Sequence, residues 1–289
     1  MKKALLLCAG LLSIGLAFAQ KPGATPHSLL WKITGKGLKK PSYLFGTMHV
    51  LCSDDARLSD SLKAVIAACD EVYFEIKLDD MSNLLGAMKS MMMNNDKRLS
   101  DLVSPGDYEK IKGYFARHAS MIPFGMLERF KPLLISALIE EENMNCQATD
   151  GMELSIMKEL HDKSILGLET VEFQAGLFDS IPYADQAKEL LAYIDSAAEY
   201  KKLTLEMADV YKKQDLDRID ELSRKGDPGM DAYMDLLLYG RNRKWAKKLD
   251  EVMPEKSFLI AVGAAHLPGT GGLIDLLKKE GYVLTPVKN

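Results

Sequence analysis

The chain has 289 residues, of which 47% are hydrophobic and 27% are charged. These values are ordinary for a globular protein, so the chain can bury a sizeable core and extensive disorder is not expected. The formal net charge is −4. A mildly acidic protein lacks the basic surface that phosphate backbones require, so nucleic acid is not an expected partner.

Residues 1–19 have the pattern of an export signal. Lys2 and Lys3 form a positive start, an apolar run covers residues 4–16, and Ala17-Phe18-Ala19 is a small-x-small cleavage site. The run is short for a transmembrane span, and Cys8 lies inside it, whereas a lipoprotein needs a cysteine just after it. We predict cleavage after Ala19, which leaves a net charge of −6. The product is expected to be periplasmic or extracellular, without a stable membrane anchor.

Three cysteines remain after this cleavage: Cys52, Cys69 and Cys146. An exported protein can form disulfides, and an odd count leaves at least one thiol unpaired within the chain. A Cys52–Cys69 disulfide is possible, but spacing does not establish it. Because free cysteine is among the most buried residue types, we favour small buried thiols at these positions.

The first half of the sheet is predicted from strands near residues 29–33 and 42–45, which form a hairpin around Gly35-Lys36-Gly37. A helix over residues 58–68 and an apolar strand over residues 71–76 follow. Strand, helix, strand implies parallel pairing between the strands at 42–45 and 71–76. His49 and Glu75 would then be neighbours at the rim where open α/β sheets bind ligands.

The middle of the chain, from about residue 79 to 255, is predicted to be mostly helical. It carries one core strand near residues 164–169, which ends in Glu169. A buried strand over 258–262, a helix to Glu280 and a last strand over 282–287 complete the pattern. We therefore predict a single α/β domain over residues 20–289, in which helices flank a central mixed sheet. The helical insertion separates two strand-turn motifs.

Those two motifs are Gly46-Thr47-Met48-His49 and Gly263-Ala264-Ala265-His266. Each follows a predicted buried strand. Glycine lets the backbone turn sharply and approach a ligand, and the histidine is then held at the rim of the sheet. Imidazole ligates transition metals and moves protons near neutral pH. One Gly-x-x-His is a weak signal, whereas two copies predict a shared site.

Carboxylates end two of the predicted strands, at Glu75 and Glu169. Each is either a helix cap or edge ion pair, or part of the site, since a charge beside apolar residues must be exposed or paired. Two histidines and a carboxylate suit Zn, Mn, Fe or Co, which activate bound water. Arg241, on a predicted helix, is either a surface charge or a group that orients a carboxylate or stabilises an oxyanion.

Taken in order, these pieces resemble the TraB/GumN family, which includes the Tiki metalloproteases and is related in fold to erythromycin esterase and the ChaN haem-binding proteins. The resemblance covers nearly all of the chain after residue 19. It rests on Leu44-Phe45-Gly46-Thr47-Met48-His49, Tyr73-Phe74-Glu75, Asp150-Gly151, Gly167-Leu168-Glu169-Thr170, Arg241-Asn242, Val262 to Gly269 and Gly281-Tyr282. It implies an α/β fold and a metal-dependent hydrolase site built from His49, His266 and Glu75, supported by Glu169 and Arg241.

The leading hypothesis is an exported metal-dependent hydrolase that acts on a peptide or protein. His49, His266 and Glu75 would hold Mn, Co, Zn or Fe; Glu75, Arg241 and Glu169 are the catalytic candidates. Two alternatives remain open. A metal-free esterase would use His49 as the base with Glu75 orienting it. A non-catalytic protein would bind haem or a peptide in the same cleft.

Overall fold

A computed structural model describes residues 27–77, 84–118, 122–225 and 231–289. The predicted export signal, residues 1–19, lies outside this part of the chain. In the described residues, no helix is both long enough and apolar enough to cross a membrane.

A six-stranded mixed sheet forms the centre of the molecule, which confirms the predicted α/β architecture. Its strands in chain order are β1 (Leu30–Gly35), β2 (Ser42–Thr47), β4 (Glu71–Ile76), β6 (Ile165–Glu169), β7 (Phe258–Gly263) and β8 (Tyr282–Val287). In space the order is β6-β4-β7-β2-β1-β8. Strands β6, β4, β7 and β2 are parallel, while β1 is antiparallel to both of its neighbours.

The predicted direct pairing of β2 with β4 is wrong, because β7 lies between them. Both strands are parallel to β7, so β2 and β4 run in the same direction, as predicted, but they are not adjacent. The residues Phe258 to Val262 of β7 are all buried, and a strand covered on both faces belongs in the interior of a parallel sheet. His49 and Glu75 therefore stand on either side of β7 rather than on adjacent strands.

Helices cover both faces of the sheet and fill the insertion. They are α1 (Asp60–Ala68), α2 (Leu84–Met91), α3 (Pro105–Arg117), α4 (Phe124–Leu127), α5 (Pro132–Asn143), α6 (Met152–Glu159), α7 (Val171–Leu177), α8 (Tyr183–Asp195), α9 (Ala197–Lys212), α10 (Leu216–Lys225), α11 (Gly240–Val252) and α12 (Leu273–Lys279). A π-helical stretch, Asp235–Tyr239, leads into α11. The start of α1 shows the local logic, since the Ser59 side chain accepts a hydrogen bond from the Leu62 amide and caps the helix.

Two hydrophobic clusters stabilise this arrangement. The larger surrounds the sheet and includes Trp31, Phe45 and Trp245. The smaller lies within the insertion, where α3, α5 and α8 pack around residues such as Ile111 and Leu190. The insertion thus has a core of its own.

A second, two-stranded sheet joins β3 (Leu51–Cys52) to β5 (Thr149–Asp150), and beside it Cys52 forms a disulfide with Cys146. The possible Cys52–Cys69 disulfide is not formed, and the expectation of buried free thiols is wrong for Cys52 and Cys146, which are linked across 94 positions. Cys69 is the buried free thiol. The disulfide ties the segment that follows His49 to the segment that precedes α6.

Candidate active site

The two Gly-x-x-His turns lie side by side at the carboxyl end of the parallel strands, because Thr47 of β2 is in register with Gly263 of β7. A Cβ atom on Gly46 would lie 3.1 Å from the backbone of Ala264. Glycine at this position therefore lets the two turns approach each other closely.

The side chains of His49, Glu75 and His266 converge around Gly263. A Cβ atom on this glycine would lie 3.2 Å from Oε1 of Glu75, 3.6 Å from Cδ2 of His266 and 3.7 Å from Nε2 of His49. Oε1 of Glu75 is also 3.7 Å from Nε2 of His266. The structure thus brings the three predicted metal ligands together, although they come from widely separated parts of the sequence.

Buried His266 is oriented by Asn242 of α11. The Asn242 amide donates to the carbonyl oxygens of His266 and Gly271, so its Oδ1 faces the ring and accepts from Nδ1 of His266 (2.6 Å). Burial lowers the pKa of His266 to about 4, and the Arg241 cation acts in the same direction, against the carboxylate of Glu75. The imidazole is therefore neutral near pH 7, with its lone pair on Nε2.

His49 is held by a carboxylate that the sequence did not single out. Its Nδ1 lies 2.8 Å from Oε1 of Glu153, near the start of α6. This hydrogen bond raises the pKa of His49 to about 9, so the ring is protonated at neutral pH. The backbone fits equally closely, because the Met152 amide donates to the Met48 carbonyl. A Cβ atom on Gly151 would lie only 2.7 Å from the carbonyl oxygen of His49.

Arg241 is buried beside the same cluster and joins its charged groups. It donates from Nη2 to Oε2 of Glu75 (2.6 Å) and from Nη1 to Nε2 of His266 (3.3 Å). Its Nε donates to Oε1 of Glu169 (2.9 Å). The guanidinium also lies 4.6 Å from the ring centre of Trp245. Arg241 is thus a central group of the site and not a surface charge.

Glu75 and Glu169 have different environments. Burial opposes ionisation of Glu75, but the Arg241 cation and protonated His49 outweigh it and lower its pKa. Its Oε1 accepts from the Gly263 amide, and its Oε2 accepts from Arg241 and Gln174. Glu169 contacts Arg241, Gln174 and the Trp245 indole. Glu75 lines the cleft, whereas Glu169 lies behind Arg241 and supports it.

A cleft of about 540 Å³ opens over these groups and is lined by His49, Glu75, Arg241 and His266. The imidazole of His49 is reached from the cleft, with 64% of its side chain exposed, whereas His266 forms the closed floor. The remaining walls are mostly apolar, as in most small-molecule and peptide sites.

The donor types match a divalent transition metal, which takes imidazole nitrogen and carboxylate oxygen. Glu153 and Asn242 hold Nδ1 of the two histidines, so Nε2 is the ring nitrogen left for a metal, as is typical of metal-binding histidines. In the present arrangement, however, no group of three or more His, Cys, Asp or Glu side chains within the described ranges is placed to hold a metal ion. Metal entry would require Arg241 to leave His266 and His49 to lose its proton.

Sequence reasoning assigned no role to Glu153, Asn242 or Gln174. Glu153 looks like an ordinary acidic residue in the first turn of a helix. Asn242 follows Arg241 directly, and this adjacency was the one feature of the sequence that could have indicated a role for Asn242. In the alternative of a metal-free esterase, Glu153 and not Glu75 would orient His49, because Glu153 is the carboxylate that contacts Nδ1 of His49.

Curated relatives resemble the chain at low identity. The protein named Metalloprotease TIKI2 of Danio rerio is 22% identical, over 89% of this chain and 60% of the relative. Metalloprotease TIKI1 of the same organism is 21% identical, over 90% and 63%. The Metalloprotease TIKI homolog of Nematostella vectensis is 21% identical, over 91% and 67%. The chain thus spans about three fifths of the length of the first two relatives.

No solved structure matches this chain. The family model described as the TraB/PrgY/gumN family matches residues 29–286, which include every side chain of the cluster described above. This match agrees with the resemblance seen in the sequence motifs. The chain belongs to the TraB/PrgY/gumN family.

Proposed function

We propose that the chain is an exported metal-dependent hydrolase that cleaves peptide bonds. One observation carries the proposal: His49, Glu75 and His266 surround a single point in a cleft, beside the guanidinium of Arg241. The names of the relatives, which are metalloproteases, agree with it. Nε2 of His49, Nε2 of His266 and the carboxylate of Glu75 would hold Mn, Co, Zn or Fe. When bound, such a metal polarises a carbonyl group and activates water.

The charges of the cluster favour a divalent cation. Glu75, Glu153 and Glu169 face Arg241 and protonated His49, so three negative charges oppose two positive ones. If His49 loses its proton when a divalent cation enters, the sum becomes neutral. Metal uptake would therefore release a proton from His49 and be favoured by rising pH.

The side chains of this protein would then divide the remaining work. Asn242 keeps the Nδ1 proton of His266 in place, and Glu153 does the same for His49. Arg241, once away from His266, would orient the substrate carbonyl and stabilise the charge that develops on its oxygen. Glu169 would support Arg241 through contacts that do not involve His266. Glu75 would be a metal ligand or the general base.

The test uses the chain from Gln20 onward, with metal analysis and a peptide-library digest read by mass spectrometry. We expect His49→Ala and His266→Ala each to lower bound metal and hydrolysis together by at least about 100-fold. His27→Ala is the matched control, since His27 is an exposed histidine outside the cleft. Unchanged metal content in both site variants would overturn the assignment.

A second candidate, a metal-free hydrolase, is favoured by the hydrogen bond between His49 and Glu153, which resembles a base held by an orienting carboxylate. Exhaustive chelation separates the two: hydrolysis disappears in the metal-dependent case and persists in the other. A Soret band on addition of haem, with no peptide turnover, would instead support a binding protein.

Export is proposed from residues 1–19 alone. Expression of the full chain in a bacterium, followed by fractionation and N-terminal sequencing, tests it. We expect the protein in the periplasm or medium, beginning at Gln20. An intact Met1 on cytoplasmic protein would contradict this part of the proposal.

A further inference from the structure

The cleft above the site continues into a second chamber of about 410 Å³ within the helical insertion. The two share seven of their described lining residues, among them Met48, Glu140, Phe178 and Met207. A molecule bound over the histidines can therefore extend into the chamber without leaving the protein.

The walls of the chamber are mostly apolar and aromatic, and Ser136, Thr204 and Ser223 add hydroxyl groups. Leu133 of α5 and Leu203 of α9 contribute aliphatic surface. Tyr193 of α8 and Tyr200 of α9 stack on each other, with ring centres 4.1 Å apart. The Tyr193 hydroxyl is occupied, since it accepts a hydrogen bond from Asn143. Such walls suit an extended aliphatic chain, and the π-faces of aromatic rings also attract cations.

Two carboxylates face this apolar space, Glu140 and Glu189, and the described lining residues include no lysine or arginine. Neither forms a hydrogen bond or an ion pair with another described side chain. The two glutamates that follow Glu140 on α5 differ, because Glu141 accepts from Thr149 and Glu142 pairs with His118.

The side chain of Glu140 is exposed to solvent in the chamber. The surrounding protein walls nevertheless raise its pKa by desolvation, although His49 acts in the opposite direction. A carboxylate in such a place is stabilised by a cation more strongly than one at an open surface. Filling the chamber with a neutral apolar group would leave both carboxylates desolvated without a partner.

We propose that the chamber accepts a lysine or arginine side chain of the peptide substrate, with its stem along the apolar walls and its charged end at Glu140 and Glu189. Lysine and arginine fit because each joins an apolar stem of several methylene groups to a positive end. The inference rests on the proposed peptidase function, since it names the side chain that the same cleft selects.

The test measures binding and does not require turnover. The chain from Gln20 onward is immobilised in chelating buffer and offered two pools of N-acetylated hexapeptide amides, random at five positions. One pool carries lysine at the third position and the other carries norleucine, which has a similar stem and no charge. We expect the lysine pool to be retained roughly 10- to 100-fold better, as expected for a charge-assisted hydrogen bond.

Glu140→Gln and Glu189→Gln are each expected to lower the ratio of lysine to norleucine retention, with Glu140→Gln having the larger effect. Glu142→Gln is the control, because it removes the same charge from the same helix outside the chamber and should leave the ratio unchanged. Equal retention of the two pools, no retention of either, or an unchanged ratio in Glu140→Gln would overturn the inference. Failure of the hydrolase proposal would leave this ratio intact and appear only in the digest and metal analysis.

Discussion

Substitution of Gly263 by alanine tests the convergence of the site directly. The methyl group would lie between Glu75, His266 and His49, at 3.2 to 3.7 Å from an atom of each. The backbone of Gly263 has φ −48° and ψ 134°, which alanine adopts without strain. The variant thus adds one carbon atom at the meeting point of the proposed ligands and should leave the strand in place.

The expected stability change is limited because two effects oppose each other. Replacing glycine where alanine is tolerated stabilises the fold by about 0.4–1 kcal/mol through the unfolded state. The 3.2 Å contact acts against this, since Glu75 is held by Arg241 and Gln174 and cannot move freely. Overpacking of this kind costs about 1–3 kcal/mol. The sum is a free energy of unfolding lower by about 0–3 kcal/mol.

Metal binding should weaken as well, for a separate reason. Donor atoms must approach an ion to about 2.0–2.2 Å, and a methyl group against all three side chains hinders that movement. We expect metal affinity and hydrolysis to fall at least about 10-fold, the equivalent of 1.4 kcal/mol. Urea unfolding, metal titration and the library digest measure the three quantities.

Gly176→Ala is the control, because a Cβ atom on this glycine of α7 meets nothing within 4 Å. It should stabilise the protein slightly and leave metal binding unchanged. If Gly263→Ala binds metal and cleaves peptides as the wild type does, the point between the three side chains is not the reaction centre.

Three further predictions concern the support of the site. Asn242→Ala leaves the buried Nδ1–H of His266 without its acceptor, so urea unfolding should show a loss of about 1–3 kcal/mol; an unchanged midpoint would mean that another acceptor is present. Substitution of both Cys52 and Cys146 by serine should lower the free energy of unfolding by about 2–4 kcal/mol and weaken metal binding. If the double variant is as stable as the wild type, the disulfide does not form in solution. Burial raises the pKa of Cys69 to about 11, so the reactive thiolate is scarce at pH 8 and a thiol reagent should label the native chain slowly, and faster towards pH 11. When the chain from Gln20 onward is unfolded without reductant, labelling should reach one thiol per chain. Rapid labelling of the native chain at pH 8 would contradict the buried position of Cys69.

The parts of the fold that were predicted correctly depend on local signals. The β1–β2 hairpin follows from Gly35-Lys36-Gly37, whose three residues all have positive φ in the structure. The place of β7 between β2 and β4 was not predictable in the same way. Hydrophobic patterning shows that a strand is buried, but it does not say which two strands it separates.

The same distinction applies to the site. The proximity of His49, Glu75 and His266 could be predicted because each follows or ends a strand, and the carboxyl ends of parallel strands share one edge of a sheet. Glu153 and Asn242 lie on helices, where polar residues are common. The sequence does not show that these two side chains face the site, because it does not show how each helix packs. The Cys52–Cys146 pairing depends on a ladder of only two residues per strand, which leaves almost no trace in the sequence.

The central position of β7 also determines when the site can exist during folding. His49 and His266 are 217 residues apart, and β7 must enter between two strands formed from the first third of the chain. Closing so long a loop costs chain entropy before its contacts stabilise the fold, which makes such pairings slow. Helices of the insertion can form beforehand, but the cluster cannot. The cluster of His49, Glu75 and His266 can therefore form only when the sheet is complete. A chain that ends before Phe258 would contain helices and lack this cluster.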